Sequence, residues 1–271
     1  MKYDSSQRLA DHVRLDVLKM INRGRCSHIG SAFSAIDILV VLYHDVMKFK
    51  VGIPEWPERD RLIFSKGHGG AAVYAVLAEI GMFSMDLLMS YCQDGSLLSG
   101  HVSHRGVPGV EFSTGALGHG LPTGCGIAFA LKTALGGPRT FVILGDGECQ
   151  EGTTWEAALF AAQHRLKNLA VIIDRNHLQG LGRTEQILDL EPLAEKWKSF
   201  NWETTVINGH DHAEIHSALQ PSGEDRPHCI IAETIKGYGV SYMENQLKWH
   251  YSTPLDRDYE TALAELEERL K

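Results

Sequence analysis

The stretch that most constrains the fold is residues 140–176, which has the pattern of a strand, a turn, a helix and a second strand. An apolar run over 140–144 leads into a Gly-Asp-Gly turn, a helical segment follows over 151–164, and a second apolar run covers 169–174. Strands joined through a helix in one sheet run parallel. Strands and helices alternate elsewhere too, so the sequence predicts an α/β fold with a parallel sheet sandwiched between helices.

The remaining elements follow from the spacing of apolar residues. Further strands are expected over 61–64, 203–207 and 228–233. Helices are expected over 7–22, 34–47, 118–135, 210–219 and 256–270, with one more beginning near Gly69. The chain contains no internal repeat, low-complexity tract or linker rich in Pro, Gly and Ser. Residues 1–271 are therefore predicted to form a single domain.

Two polar side chains follow the strands of the opening unit. Asp146 comes directly after the first strand, and Asn176 comes just past the second. Because the carboxyl ends of parallel strands share one edge of the sheet, these two side chains should converge there. Their oxygens suit Mg²⁺ or Ca²⁺. Gly145 and Gly147 would let a phosphate approach the backbone, as would the helix start near Glu151. The alternative is that the Gly-Asp-Gly segment is only a tight turn without a binding role, in which Asp146 caps the following helix.

Composition excludes several classes of function. The net charge is −8 and no basic cluster is present, which argues against a nucleic-acid partner or an anionic membrane. The N-terminal segment lacks a signal-peptide core, and no apolar stretch is expected to span a membrane, so a cytoplasmic location is expected.

The chain has five cysteines: Cys26, Cys92, Cys125, Cys149 and Cys229. They show no CxxC spacing and are predicted to be reduced thiols rather than a disulfide frame or a zinc site.

Beyond these physical arguments, the Gly-Asp-Gly turn followed about thirty residues later by Asn176 resembles the thiamine diphosphate motif. The surrounding segments resemble the transketolase family in particular, occur in that family's order and cover nearly the whole chain. They are SHIGS (27–31), FSKGHGG (64–70), LSGH (98–101), STGALGHGL (113–121), LGDGECQEGTTWEA (144–157) and ETIKGYGVSYMENQLKWH (233–250). The resemblance is to the family's N-terminal domain, which binds the diphosphate, and it implies the thiamine diphosphate-binding fold.

The resemblance also implies a role for each matched residue. The metal, Mg²⁺ with Ca²⁺ or Mn²⁺ as alternatives, would be bound by Asp146, Asn176 and the backbone carbonyl of Leu178. Residues that would contact or border thiamine diphosphate are Ser31, Lys66, His68, Gly115, Leu117, Gly145, Gly147, Asn176, Lys236 and His250. Substrate-facing histidines that donate hydrogen bonds and carry protons would be His28, His101 and His250. Glu151 would join a buried carboxylate network between two active sites.

The family's pyrimidine-binding domain and its catalytic glutamate do not match any part of the chain. The expected function is therefore the N-terminal subunit of a split transketolase, which transfers a two-carbon ketol unit from a ketose (phosphate) to an aldose. A separate C-terminal subunit would complete the site in an α₂β₂ heterotetramer, and the chain would be inert alone. Ile29, Val102 and Tyr251 depart from the family's pattern beside the substrate-facing histidines, which puts the usual sugar phosphates in doubt.

Alternative functions remain open at this point. Another two-chain thiamine diphosphate enzyme, such as the decarboxylating subunit of a 2-oxo acid dehydrogenase, would share the Gly-Asp-Gly motif but not the SKGH, LSGH and KWH segments. A 1-deoxyxylulose-5-phosphate synthase is normally one long chain. A non-catalytic regulatory homologue would be expected to lose the metal ligands or the histidines, and this sequence keeps them.

Overall fold

A computed structural model of the chain describes residues 2–132, 137–221 and 223–271. Its centre is a parallel sheet of five strands in the order β1-β2-β3-β7-β6. A separate two-stranded hairpin, β4-β5, is antiparallel. The strands are β1 (Arg61–Phe64), β2 (Thr140–Gly145), β3 (Leu169–Arg175), β4 (Leu178–Gln179), β5 (Gly182–Arg183), β6 (Glu203–Asn208) and β7 (His228–Glu233).

Helices cover both faces of the sheet, as predicted. The long helices are α1 (Ser6–Gly24), α2 (Ile29–Val41), α3 (Gly70–Glu79), α5 (Gly120–Ala130), α6 (Gly152–Gln163) and α11 (Asp256–Arg269). The short ones are α4 (Met85–Leu88), α7 (Thr184–Ile187), α8 (Leu193–Ser199), α9 (His212–Ala218) and α10 (Lys248–Tyr251). The hairpin and most of these short helices were not predicted, because elements of one or two turns are too short to show a hydrophobic period.

The strand residues divide between two hydrophobic cores. All of β3 is buried, and its side chains point alternately to opposite faces. Ile172 packs into the core formed with α1, α2 and α3, whereas Val171 and Ile173 pack into the core formed with α5, α6 and α8. A strand buried on both sides explains why 169–174 is a continuous apolar run rather than an alternating one.

Helix α2 differs from the prediction in its start and in its length. It begins at Ile29 rather than 34, because His28 takes a left-handed conformation (φ 74°) that ends the preceding loop. A π-helical turn, Leu42–Val46, continues it. The resulting segment, Ile29–Val46, has a mean hydropathy of 1.5 and is long enough to cross a membrane, contrary to the expectation above. However, 83% of it is buried inside the protein, as expected for the central helix of a core.

Two of the five cysteines contradict the prediction of reduced thiols. Cys26 and Cys92 form a disulfide across 66 residues of chain. The other three cysteines, Cys125, Cys149 and Cys229, are free and buried. No spacing rule reveals the pair, because only the packing of the loop after α1 against the segment after α4 brings the two sulfurs together.

Two glycines in α5 allow the packing of this helix on the sheet to be tested by substitution. A Cβ on Gly124 would overlap Cγ2 of Val142 in β2, whereas a Cβ on Gly126 would meet nothing within 4 Å. We expect Gly124→Ala to lower the free energy of unfolding by about 1–3 kcal/mol through overpacking. The matched control, Gly126→Ala, should raise it by up to about 1 kcal/mol through helix propensity. Urea denaturation followed by circular dichroism measures both, and equal midpoints would contradict the packing argument.

Candidate active site

A cavity of 310 Å³ lies at the carboxyl edge of the sheet, among loops that follow β1, β2, β3 and β7. Every site residue predicted from the sequence lines it, although these residues come from segments spread over most of the chain. They are His28, Ser31, Lys66, His68, His101, Gly115, Leu117, Gly145, Asp146, Gly147, Glu151, Asn176, Leu178, Lys236 and His250. The structure thus brings the residues together, and their individual roles remain predictions.

Asp146 and Asn176 converge through the register of β2 and β3, which pairs Gly145 with Asp174. Asp146 is 2% exposed, and its side chain accepts hydrogen bonds from the backbone N–H groups of Gly147 (2.7 Å) and His177 (2.6 Å). Burial, with the Asp174 carboxylate second, raises the pKa of Asp146. The backbone therefore holds this carboxylate in one orientation, in a place where negative charge is costly unless a cation is near.

Three oxygens at this edge form a donor set that fits a hard divalent cation. They belong to the Asp146 carboxylate, the Asn176 amide and the Leu178 backbone carbonyl. The Asn176 oxygen accepts a hydrogen bond from the N–H of Leu178 (3.1 Å) and keeps a lone pair for a further partner. No group of three His, Cys, Asp or Glu suited to a metal occurs in the described ranges. A cation here would need a ligand's phosphate oxygens to complete its coordination, which is typical of Mg²⁺.

A buried arginine supports the candidate metal ligand from behind. Arg175, the last residue of β3, donates to Asp146 (3.3 Å) and to the hydroxyl of Thr184 (2.7 Å). The same guanidinium pairs with Glu185 (3.0 Å) and Glu191 (2.8 Å). Sequence reasoning missed this residue, although its position directly before Asn176 at a strand end was a usable signal. Its charge holds the 185–191 segment against the edge of the cavity.

Two buried lysines lie on the cavity wall with different partners. The Lys236 ammonium donates to the Leu178 carbonyl (3.0 Å) and lies 2.9 Å from Nδ1 of His250. Burial lowers the pKa of Lys236 to about 8. The Lys66 ammonium instead forms a buried ion pair with Asp174. Asp174 was not predicted from the sequence, and it leaves Lys66 with less freedom to contact a ligand than Lys236 has.

Four imidazoles, named here the histidine cluster, also line the cavity: His28, His68, His101 and His250. The ring centroid of His28 lies 5.2 Å from that of His68, 5.8 Å from that of His101 and 5.0 Å from that of His250. Burial is the main cause that lowers the pKa of His28 to about 4 and that of His250 to about 3. It also places the pKa of His68 well below its usual value. At neutral pH these three rings are therefore uncharged and can each donate one N–H.

These low pKa values predict a loss of stability in mild acid. An unfolded histidine titrates near pH 6.5, so the unfolded chain takes up protons before the folded chain does. Stability is then complete above about pH 6.5 and falls as the pH drops towards about 4. We expect His28→Asn to make this fall shallower in urea denaturation from pH 8 to 4. The control His216→Gln, at an exposed position, should leave the profile unchanged, and identical profiles for both variants would contradict the assignment.

The buried carboxylate beside the turn is Glu148, which was not predicted from the sequence. A 3₁₀ turn over Gly147–Gln150 directs Glu148 inward and leaves Glu151 at the start of α6 with an exposed side chain. Glu148 accepts from the hydroxyl of Ser65 and from the N–H of Gly118 (2.8 Å). Burial raises the pKa of Glu148. Glu151 is exposed in this chain, and its place in a carboxylate network between subunits stays a prediction.

The mouth of the cavity holds residues that sequence reasoning did not assign to it. They are Gln150, Gln179, Gly180, Leu181 and Tyr251. The Tyr251 ring is 62% exposed and lies 4.6 Å from the His250 ring and 5.9 Å from the His28 ring, centroid to centroid. A Cβ on Gly180 would crowd the Tyr251 hydroxyl. The Tyr251 ring and Leu181 thus form part of the solvent-exposed lining of the cavity.

Comparison with known proteins identifies the family to which this chain belongs. The family model for the thiamine diphosphate-binding domain of transketolase matches residues 5–266. The chain belongs to the transketolase family. Among solved structures, transketolase from Campylobacter jejuni superposes with a TM-score of 0.89 at 30% identity. The match covers 98% of this chain and 43% of that one, so this transketolase-family chain spans less than half the length of that transketolase chain.

Separately encoded subunits match this transketolase-family chain over almost their full length. The chain is 37% identical to a subunit of the apulose-4-phosphate transketolase of Phocaeicola vulgatus, over 100% of this chain and 97% of that protein. It is 39% identical to the 6-deoxy-6-sulfo-D-fructose transketolase subunit SqwG of a Clostridium species, over 96% of both. The expectation of a transketolase subunit of the N-terminal type is therefore confirmed.

Proposed function

We propose that the chain is the diphosphate-binding subunit of a two-chain transketolase, with Mg²⁺ and thiamine diphosphate in the 310 Å³ cavity. One observation carries the proposal: three hard oxygen donors and three neutral histidines face the same cavity at the carboxyl edge of a parallel sheet. The proposal treats residues 1–271 as one functional domain, located in the cytoplasm. The similarity of the chain to transketolase subunits over almost their full length supports a two-chain enzyme rather than one long chain.

Different residues would hold the metal and the cofactor. Asp146, Asn176 and the Leu178 carbonyl would hold Mg²⁺, which would neutralise part of the diphosphate's charge. The donors that would bind the diphosphate are Lys236, His68, His250 and the Gly147 backbone, with Ser31 and Lys66 close by, and Gly115 and Leu117 would border the cofactor's rings. A divalent cation and neutral donors need no large basic patch, in agreement with the net charge of −8.

The cofactor, when bound, supplies the carbon nucleophile and the electron sink. The chain's own contribution is to orient the sugar and move protons near it. His28, His101 and His250 would hydrogen-bond the substrate's hydroxyl and carbonyl oxygens. Because the pKa of His28 is about 4 and that of His250 about 3, both rings remain neutral at pH 7, where each has one nitrogen that donates a hydrogen bond and one that accepts.

The substrate is proposed to be a modified ketose, as a free sugar or a phosphate. The names of two relatives specify such sugars, apulose-4-phosphate and 6-deoxy-6-sulfo-D-fructose. In this chain, Tyr251 and Leu181 at the mouth present an apolar surface, against which the C–H face of a sugar can pack. The acceptor is proposed to be an aldose, by the general reaction of the family.

The partner is proposed to be a C-terminal transketolase subunit carrying the pyrimidine domain and the catalytic glutamate, in an α₂β₂ assembly. An apolar surface supports this: Phe129 of α5 and Leu159 and Phe160 of α6 are 49%, 60% and 40% exposed, and the two phenylalanine rings lie 5.9 Å apart. Such a patch is typical of an interface. Gly126 of α5 is also exposed, and its lack of a side chain would allow a partner to pack closely against this helix.

Reconstitution tests the proposal. The chain and a candidate pyrimidine-domain partner are purified separately, mixed with Mg²⁺ and thiamine diphosphate, and supplied with modified ketose donors and an aldose. We expect a heteromer on a sizing column and two-carbon transfer, detected by mass spectrometry, only when both chains and the cofactor are present. A Gly126→Phe chain that folds normally should fail to assemble. Decarboxylation of a 2-oxo acid in place of ketol transfer would overturn the proposal, as would assembly without activity on any ketose.

A further inference from the structure

The one disulfide that the described residues contain lies beside the histidine cluster. Cys26 precedes His28 by two residues, and its Cα lies 6.9 Å from that of Cys92, at the upper limit of the separations that disulfides bridge. Cys26 and Cys92 are each half-buried, whereas the three free cysteines are buried. A small oxidant or reductant can therefore reach this pair in preference to the other thiols.

The Cys92 side of the bond leads to His101. The N–H of Cys92 donates to the Leu98 carbonyl (2.9 Å), which closes the loop that runs on to His101. A Cβ on Gly100 would lie 3.2 Å from Sγ of Cys92, so the sulfur packs directly against the residue before His101. A change in the position of this sulfur is thus transmitted to the backbone that carries the imidazole.

The Cys26 side leads to His28 and His250. The carbonyl of Cys26 accepts a hydrogen bond from the Thr253 hydroxyl (2.7 Å), and the N–H of His28 donates to the His250 carbonyl (2.9 Å). Two backbone segments that carry histidines of the cluster therefore join at Cys26. The disulfide connects this junction to the loop that leads to His101.

We propose that Cys26 and Cys92 are a reversible oxidation site that sets the spacing between the His28 and His101 loops. In the oxidising direction, a small disulfide such as oxidised glutathione accepts two electrons. The two cysteine thiols lose their protons and form the Sγ–Sγ bond, and two molecules of glutathione are released. Reduction reverses each of these steps. The oxidised chain holds the two loops together, and the reduced chain frees them.

The consequence for catalysis rests on the proposed function. If His28 and His101 bind the same substrate, release of their loops should lower kcat/KM of the two-chain enzyme by about tenfold, since small misplacements of orienting groups are costly. The chemistry of the cysteine pair and the positions of the rings do not depend on that function and are measured on this chain without a substrate.

The experiment equilibrates the full chain in glutathione buffers of graded potential. Thiols are counted by alkylation and mass spectrometry, and histidine side-chain signals are followed by NMR in ¹⁵N-histidine-labelled protein, assigned with His28→Asn and His101→Asn chains. We expect Cys26 and Cys92 to lose alkylation together. The signals of His28 and His101 should shift with the same midpoint. Cys92→Ser should abolish the transition, and Cys125→Ala, at a buried free thiol, should retain it.

Three outcomes would overturn the proposal: both thiols stay alkylatable in the most oxidising buffer, only mixed disulfides with glutathione form, or the pair forms while both histidine signals stay unchanged. If Cys92→Ser fails to fold, wild-type chain alkylated in the reduced state replaces it. Absence of ketol transfer with every partner would count against the proposed function, while the thiol and NMR measurements would still decide the oxidation site.

Discussion

Asp146→Asn is expected to weaken Mg²⁺-dependent binding of thiamine diphosphate by about a hundredfold or more. The change keeps the shape of the side chain but removes the one carboxylate among the three proposed metal ligands. Two backbone N–H groups and the guanidinium of Arg175 point at this carboxylate, so an amide, which has one oxygen fewer to accept them, also disturbs its orientation. Calorimetry with cofactor and Mg²⁺, on the chain and on its complex with a partner, measures the loss.

The control for Asp146 removes an equal charge elsewhere. Asp225 is exposed and forms a surface ion pair with Arg165 (3.3 Å), so Asp225→Asn should leave cofactor binding unchanged. Thermal unfolding of both variants without cofactor shows whether each is folded before binding is compared. A folded Asp146→Asn chain that binds the cofactor as tightly as wild type would remove Asp146 from the metal site.

Lys66→Met is expected to lower the free energy of unfolding by about 3–5 kcal/mol, the largest effect on stability that we predict. Lys66 and Asp174 are both buried and paired. Burial alone would raise the pKa of Asp174, but the Lys66 ammonium lowers it overall, so loss of the lysine leaves a buried carboxylate without the cation that stabilises its charge. An unpaired buried charge is the source of the cost.

A double variant separates this electrostatic cost from lost packing. Lys66→Met combined with Asp174→Asn should recover part of the stability, because no charge then remains buried without its partner. Arg165→Met, which breaks an exposed pair, should cost less than about 1 kcal/mol. Urea denaturation at pH 7 compares all the chains. A double variant no more stable than Lys66→Met would show that packing around Lys66, not charge, explains the loss.

The part of the site that could be predicted lies in short segments next to strands. Asp146 and Asn176 were predicted to converge because strand direction and side-chain alternation follow from local sequence patterns. The histidines were found because each lies in a segment that resembles the family. Glu148 and Arg175 were missed, although both lie within two residues of predicted ligands, because a 3₁₀ turn and the end of a strand decided which neighbour faced inward.

The sequence by itself determined the order of the five sheet strands and the longer helices along the chain, the layering of helices on both sides of a parallel sheet, and the edge at which the polar residues meet. Only the tertiary structure decided that Lys66 pairs with Asp174, that Tyr251 lies at the mouth of the cavity, and that Cys26 meets Cys92. The physical reason is the separation of the partners along the sequence. Periodicity records which face of an element is buried, whereas these pairs join residues 66 or more positions apart or in irregular loops, where no period links one partner to the other.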